Sequence, residues 1–387
     1  VVMNGNEALA YGLIAAGVRF GAGYPITPWS DIMELLRREL PKYGGMFVQC
    51  EDEIASIAMA LGGSYGGRVA VTGSSGPGLS LKTEVLGWAV MAEMPLIIVD
   101  VQRGGPSTGM PTNVEQSDLN MACFGSHGDS PRVVIAPANV EDCFYVAVEA
   151  VNLARQYSVP VIVLTDQAIA TRIEAFEEPD LETLCQDLAP DLTPVPEHKP
   201  YNLSTPNGIS HHIAPGTRVL DSRYPVATGL EHDEFGHPTG SSKLHVQMTA
   251  KRRKKLQALA AELPVPQVYG PSEGKLLLVG WGSTHGPIHE AVDRARAGGE
   301  SISALHLKHL HPLPAELEKI FAGFERIFVV EMNDEGVYGF GQLAGILRAR
   351  YCNPKIQGIN KTDGLTFQVR EIIACARETV ESGMRKF

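Results

Sequence analysis

The chain has few cysteines, no Cys-x-x-Cys pair, no Gly-Asp-Gly segment and no long apolar run. Each shortage removes a class of function. The 6 cysteines, Cys50, Cys123, Cys143, Cys185, Cys352 and Cys375, are too scattered for a disulfide framework or a thiolate set around an iron–sulfur cluster. If the chain serves a redox enzyme, its electrons leave through another subunit. No stretch of about 18 apolar residues is present, so no membrane span is expected. The opening Val1 to Glu7 is not a signal peptide, and a cytoplasmic protein is expected. Positive charge is also short, with 33 Lys and Arg against 44 Asp and Glu and a net charge of -11. That balance argues against nucleic acid or an anionic membrane as main partner, and it equally suits an ordinary soluble protein.

At 387 residues the chain has room for two or three domains of ~150 residues. The 44% of hydrophobic residues is ample for their cores. Apolar helix periodicity over 6–18 precedes a short strand near Arg19 to Ala22. Pro25 and Pro28 then break the chain, and Ser30 or Asp31 is expected to cap a helix reaching Leu40. Strands are expected at Met46 to Cys50, Arg68 to Thr72, Pro95 to Val101, Arg132 to Ile135 and Pro160 to Leu164, with helices at Glu53 to Gly62, Leu79 to Met91 and Val140 to Arg155. Apolar strands alternating with helices predict a doubly wound parallel α/β sheet over 1–180. Residues 181–268 break the rhythm with acidic, proline-rich and polar composition, and read as an irregular surface linker or subdomain. Lys251 to Lys255 opens or closes a charged helix within it. A second α/β block is expected over 269–387.

Four segments carry chemistry. Tyr24-Pro25-Ile26-Thr27-Pro28 is a turn whose two prolines fix φ on either side of a hydroxyl. It suits Thr27 for binding a carboxylate or ketone, and it also serves as a plain strand-to-helix connection. Glu51, Asp52 and Glu53 open a helix after an apolar strand, where a carboxylate can face a cleft and where the helix dipole favours acids in any case. Thr72 to Gly78, with Ser75, Gly76 and Pro77 at its centre, lets a backbone approach a ligand closely, yet it is neither a Walker loop nor a Gly-x-Gly-x-x-Gly fingerprint. Arg103 follows an apolar strand, in the crevice position of an open sheet where a guanidinium can fork onto a carboxylate. A surface arginine on a loop is the other reading. Ser107, Thr108 and Thr112 follow it as candidate pocket residues, and Gln116 and Asp118 are expected to begin the next helix. His211, His212, His232, His237 and His245 match no zinc spacing and read as solvent or interface histidines; His306, His309 and His311 are open either way. No metal ligand is assigned.

Together Gly-Tyr-Pro-Ile-Thr-Pro, Glu-Asp-Glu-Ile-Ala, Ser-Gly-Pro-Gly and Gln-Arg-Gly-Gly-Pro-Ser-Thr-Gly-x-Pro-Thr resemble the alpha subunit of the thiamin-diphosphate-dependent 2-oxoacid:ferredoxin oxidoreductases, most of all the 2-oxoglutarate and branched-chain members. The resemblance spans nearly the whole chain. It implies a pyrimidine-binding domain over 1–180 and a domain like the carboxy-terminal domain of transketolases over 269–387. Glu53 is then the carboxylate on the aminopyrimidine, where a shared proton activates the coenzyme. Tyr24, Pro25, Ile26, Ser75, Gly76 and Pro77 line the cofactor, while Thr27, Arg103, Ser107 and Thr108 take the 2-oxoacid.

The implied reaction is reversible oxidative decarboxylation of 2-oxoglutarate with coenzyme A to succinyl-CoA, carbon dioxide and reduced ferredoxin. Run backward, it fixes carbon dioxide in a reductive citrate cycle. Branched-chain 2-oxoacids or pyruvate are the alternatives. Gly128-Asp129-Ser130 is the nearest approach to the Gly-Asp-Gly that holds magnesium in the family. The implied beta subunit therefore carries the diphosphate, Mg2+ and a 4Fe–4S cluster, in an (alpha-beta)2 assembly. A gamma domain, fused upstream or separate, is expected too, since Val1 and not Met stands first. Two other readings stay open: a nicotinamide enzyme, which needs the missing dinucleotide fingerprint, and a non-catalytic assembly subunit.

Overall fold

A computed structural model describes residues 1–185, 190–220 and 226–382. The parts of the expected linker at 186–189 and 221–225 and of the second domain at 383–387 lie outside the described residues. Two largely parallel sheets carry the architecture, as the alternation of apolar strands and helices predicts. In the larger sheet the strands run in the order His309–His311, Val133–Ile135, Pro160–Asp166, Leu96–Gln102, Ala70–Ser74, Phe20–Gly23 and Met46–Gln49. All neighbours pair in parallel except His309–His311, an edge strand lent antiparallel by the second half of the chain. Leu96–Gln102 and Pro160–Asp166 are buried throughout, because helices cover both faces of the sheet.

Gly5–Ala15 and Val140–Tyr157 cover one face, with Leu9, Leu13, Ala147 and Val151 in its core. Their axes come close at Gly12, where a Cβ would sit 2.9 Å from that of Ala147. Glu53–Tyr65 and Gly76–Met91 cover the other face through Ile57, Leu61, Leu79 and Leu86. Asn4, Asp52 and Asn139 cap their helices with side-chain oxygens. The expected cap at Ser30 or Asp31 is not formed: Trp29 occupies the cap position of Ser30–Glu39 without a side-chain bond, its indole spent in the core.

The stretch expected to be an irregular surface segment is more ordered than its composition suggests. It contains a 21-residue helix, Ser242–Glu262, and Lys251, Arg252 and Lys255 on that helix are buried against the first half of the chain. Tyr201 and His232 stack with ring centroids 3.8 Å apart. The second sheet runs Ile356–Asn360, Phe324–Glu331, Gly274–Gly280, Ile302–His306 and Val268–Tyr269, the last antiparallel. Among the described residues no helix is long and apolar enough to cross a membrane.

Candidate active site

Four adjacent strands of the larger sheet end on one edge, and each hands its next residues to the same crevice. From one side to the other these are Arg103 after Leu96–Gln102, Ser75 and Gly76 after Ala70–Ser74, Tyr24 to Thr27 after Phe20–Gly23, and Glu53 after Met46–Gln49. Ligands of open α/β sheets sit at such carboxyl ends.

The three acids after Met46–Gln49 are separated by burial. Glu51 and Asp52 are exposed, and Asp52 is spent as the helix cap, its Oδ1 accepting from the Ala55 amide at 2.7 Å. Glu53 is buried, and its carboxylate accepts no hydrogen bond among the described residues. It lies over Gly78, where a Cβ would stand 2.7 Å from Oε1. Only glycine leaves that room. Beside it the Ser74 and Ser75 hydroxyls are buried without a partner among the described residues.

Arg103 is buried too. Its Nη1 donates to the Thr27 carbonyl at 2.7 Å and its Nη2 to the Thr108 carbonyl at 3.1 Å. The structure thus brings Thr27, Arg103 and Thr108 together. No carboxylate is in ion-pair contact with Arg103 among the described residues. Burial lowers its proton affinity, and the Asp118 charge opposes that. Tyr24, Pro25 and Thr27 are exposed at the rim, with Ile26 half-buried. The Ser107 side chain is exposed, and its φ of 58° is left-handed and strained for a non-glycine residue.

Several residues of the crevice escape sequence reasoning. Gln116 and Asp118 do not begin the next helix, which runs Leu119–Phe124 with Asp118 only at its cap position. Gln116 clamps the Arg103 loop to the second sheet instead: Nε2 donates to the Trp281 carbonyl at 2.9 Å and Oε1 accepts from the Met332 amide at 3.1 Å. Asp118 is pushed up to about 7 by burial and the nearby Glu115, with Arg103 opposing. Asp100 is raised well above the carboxylate range by burial and then by Asp118. Lys82 is fully buried and donates to the Glu53 carbonyl at 3.0 Å, Ser56 Oγ at 2.5 Å and Thr72 Oγ1 at 3.3 Å. The sequence does carry its signal, because Lys82 interrupts the apolar face formed by Leu79, Leu86 and Ala89. Of the histidines, His232 is buried and bonded to the Met91 and Asp233 carbonyls, His309 pairs with Glu149 at 2.6 Å, and the half-buried His306 lies edge-on to His285. Among the described residues no group of three or more His, Cys, Asp or Glu could hold a metal ion.

Comparison with known proteins places this crevice in a family. The family model described as pyruvate flavodoxin/ferredoxin oxidoreductase, thiamine diP-bdg, matches residues 11–251, and that of pyruvate:ferredoxin oxidoreductase core domain II matches 274–372. The 2-oxoglutarate oxidoreductase subunit KorA of Mycobacterium tuberculosis is 40% identical over 96% of this chain, which spans 56% of that protein's length. The 2-oxoglutarate synthase subunit KorA of Methanocaldococcus jannaschii is 36% identical over 87% of this chain and 89% of its own. The 2-oxoglutarate:ferredoxin oxidoreductase from Magnetococcus marinus, solved with 2-oxoglutarate, coenzyme A and succinyl-CoA bound, superposes with a TM-score of 0.92 at 39% identity, over 98% of this chain and 65% of that one. A split-gene transketolase shares only the fold, at 11% identity and a TM-score of 0.55. With a family model over most of its length and relatives this similar, the chain belongs to the alpha subunits of the thiamin-diphosphate-dependent 2-oxoacid:ferredoxin oxidoreductases.

Proposed function

We propose that this chain forms the pyrimidine-side wall of a thiamin diphosphate site, and that the assembled enzyme converts 2-oxoglutarate and coenzyme A to succinyl-CoA and carbon dioxide. Two electrons pass to ferredoxin, and the reaction is reversible. The observation that carries this reading is Glu53, buried at a helix start over Gly78 with its carboxylate accepting no hydrogen bond among the described residues. The unpartnered Ser74 and Ser75 hydroxyls fit a ring with polar edges in the same place.

Thiamin diphosphate, when bound, supplies the electron sink that a 2-oxoacid needs to lose carbon dioxide. Glu53 holds a proton at the aminopyrimidine edge and returns it, strengthened by low local dielectric. Tyr24, Pro25, Ile26, Ser75, Gly76 and Pro77 shape the wall around it. Arg103, buried and in ion-pair contact with no carboxylate among the described residues, binds the substrate carboxylate, and the carbonyls of Thr27 and Thr108 set the plane of its guanidinium. Thr27 and Ser107 add hydroxyls at the rim. The diphosphate, its Mg2+ and a 4Fe–4S cluster fall to a beta subunit, in an (alpha-beta)2 assembly that also includes a gamma domain or subunit. Support for a 2-oxoglutarate substrate comes from the relatives' names and from the ligands of the Magnetococcus marinus structure. The place of action is the cytoplasm.

The test is reconstitution with a beta subunit carrying the Gly-Asp-Gly motif. Coenzyme A-dependent ferredoxin reduction is followed with 2-oxoglutarate, pyruvate and 2-oxoisovalerate. The highest kcat/KM is expected for 2-oxoglutarate, and Glu53→Gln should lower turnover by roughly 10²–10⁴ with assembly intact. Unchanged turnover in Glu53→Gln would assign the chain to assembly alone.

A further inference from the structure

We infer that Lys82 is a positioning residue of this site: its buried ammonium fixes the first turn of the Glu53 helix and places a positive charge behind the Glu53 carboxylate. The inference rests on the reading of Glu53 given above.

A lysine ammonium has three donors, and here all three are used within one layer of the fold. They reach the main-chain carbonyl of Glu53 at 3.0 Å, Ser56 Oγ at 2.5 Å one turn along the same helix, and Thr72 Oγ1 at 3.3 Å on the strand that leads into the glycine-rich turn. Ser56 in turn donates to the Glu53 carbonyl at 2.9 Å. The helix start that carries Glu53 and the strand that carries Ser74 are thereby tied to one atom.

That arrangement is not what stability alone selects. Each of these three acceptors is neutral, so among the described residues the ammonium is buried without an ion pair, and burying a cation in that way is costly. A methionine or leucine would fill the same space between Leu79 and Leu86. The acidic groups facing Lys82 are Glu53, Cys50 and Asp52, of which Glu53 acts most strongly, and burial pushes the Cys50 thiol up so that it stays neutral. Attraction between two charges is mutual, so the same field holds the Glu53 side chain in place. Asp52 is exposed and already occupied as a cap, which leaves Glu53 as the buried beneficiary. Burial also brings Lys82 to about 8, within the working range of an enzyme.

The experiment titrates the lysine side-chain carbons of the chain by NMR in wild type and in Glu53→Gln, without cofactor. The Lys82 resonance, assigned by its loss in Lys82→Met, should titrate at a lower pH in Glu53→Gln than in wild type. In the reconstituted enzyme, Lys82→Met should lower kcat by roughly tenfold or more with the KM for the 2-oxoacid within about twofold, and Lys82→Arg, which keeps the charge, should restore most of it. An identical Lys82 midpoint with and without the Glu53 charge overturns the inference, and that comparison needs no Lys82 variant to assemble. An unchanged kcat in an assembled Lys82→Met enzyme overturns it as well. If Glu53→Gln turns over like wild type, the role given to Glu53 fails; if Glu53→Gln is inactive while Lys82 titrates alike in both, only the role of Lys82 fails.

Discussion

The Nζ of Lys251 lies 2.6 Å from Oε2 of Glu93, with both side chains sealed from solvent. Lys255 from the next turn of the same helix pairs with the same oxygen and also donates to the Ser158 carbonyl at 2.9 Å. Burial opposes the charge on Glu93, yet the two ammonium groups hold it below the usual carboxylate range. The triad fastens the helix Ser242–Glu262 to the end of the sheet opposite the candidate site, next to Glu93 in the turn between Gly76–Met91 and Leu96–Gln102. Removing the anion leaves two buried cations facing each other. Glu93→Ala should therefore cost about 3–5 kcal/mol, read as a lowered midpoint in urea with turnover per folded molecule unchanged.

Arg103 is held by two main-chain carbonyls, so its orientation survives loss of substrate. Lysine at that position keeps a charge but loses the planar fork. Arg103→Lys should raise the KM for the 2-oxoacid by roughly tenfold or more and leave thiamin diphosphate affinity within about twofold. An unchanged KM, measured by initial rates on the reconstituted enzyme, would remove Arg103 from the substrate site.

Most of the fold was legible in the sequence because a parallel sheet buried on both faces writes itself as uninterrupted apolar runs. PLIIVDV and PVIVL became central strands. The site was legible where a motif is local: Thr27, Glu53 and Gly76 each follow their own strand within a few residues. It was illegible where the partner is distant. Lys251 and Lys255 read as part of a charged helix in a surface linker, since nothing nearby in sequence announces Glu93. Gln116 read as a helix start, since its partners Trp281 and Met332 belong to the other half of the chain. Lys82 could have been singled out as the cation on an apolar helix face, but its acceptors are assigned only once Glu53–Tyr65 packs on Gly76–Met91.

Gln116 couples the two sheets through the loop that carries Arg103. Its main-chain amide donates to the Met332 carbonyl at 2.6 Å, and the Asn333 side chain donates back to its carbonyl at 2.9 Å. Gln116→Ala removes only the two side-chain bonds, each worth about 0.5–1.5 kcal/mol. The expected result is a small loss of stability with a several-fold rise in KM for the 2-oxoacid, as Arg103 loosens. Equal effects on KM and on thiamin diphosphate affinity would instead point to a general loosening of the chain.

Asp118 gives the site a stability signature in pH. Its folded proton affinity is raised to about 7 from the ordinary 3.8, by burial first and by Glu115 second. The folded state therefore binds the extra proton between these values. The stabilising contribution is fully present below about pH 4 and is lost as pH rises through 7. Asp118→Asn cannot titrate, so the wild type should lose stability relative to it across that window. Asn retains the shape beside Gly76, where a Cβ would stand 2.6 Å from Asp118 Oδ1. Thermal midpoints of both proteins, taken from pH 5 to 8, should diverge steadily in favour of the variant. Parallel curves would mean that Asp118 is already ionised at pH 5, and that the acid beside Arg103 keeps its charge when the crevice is empty.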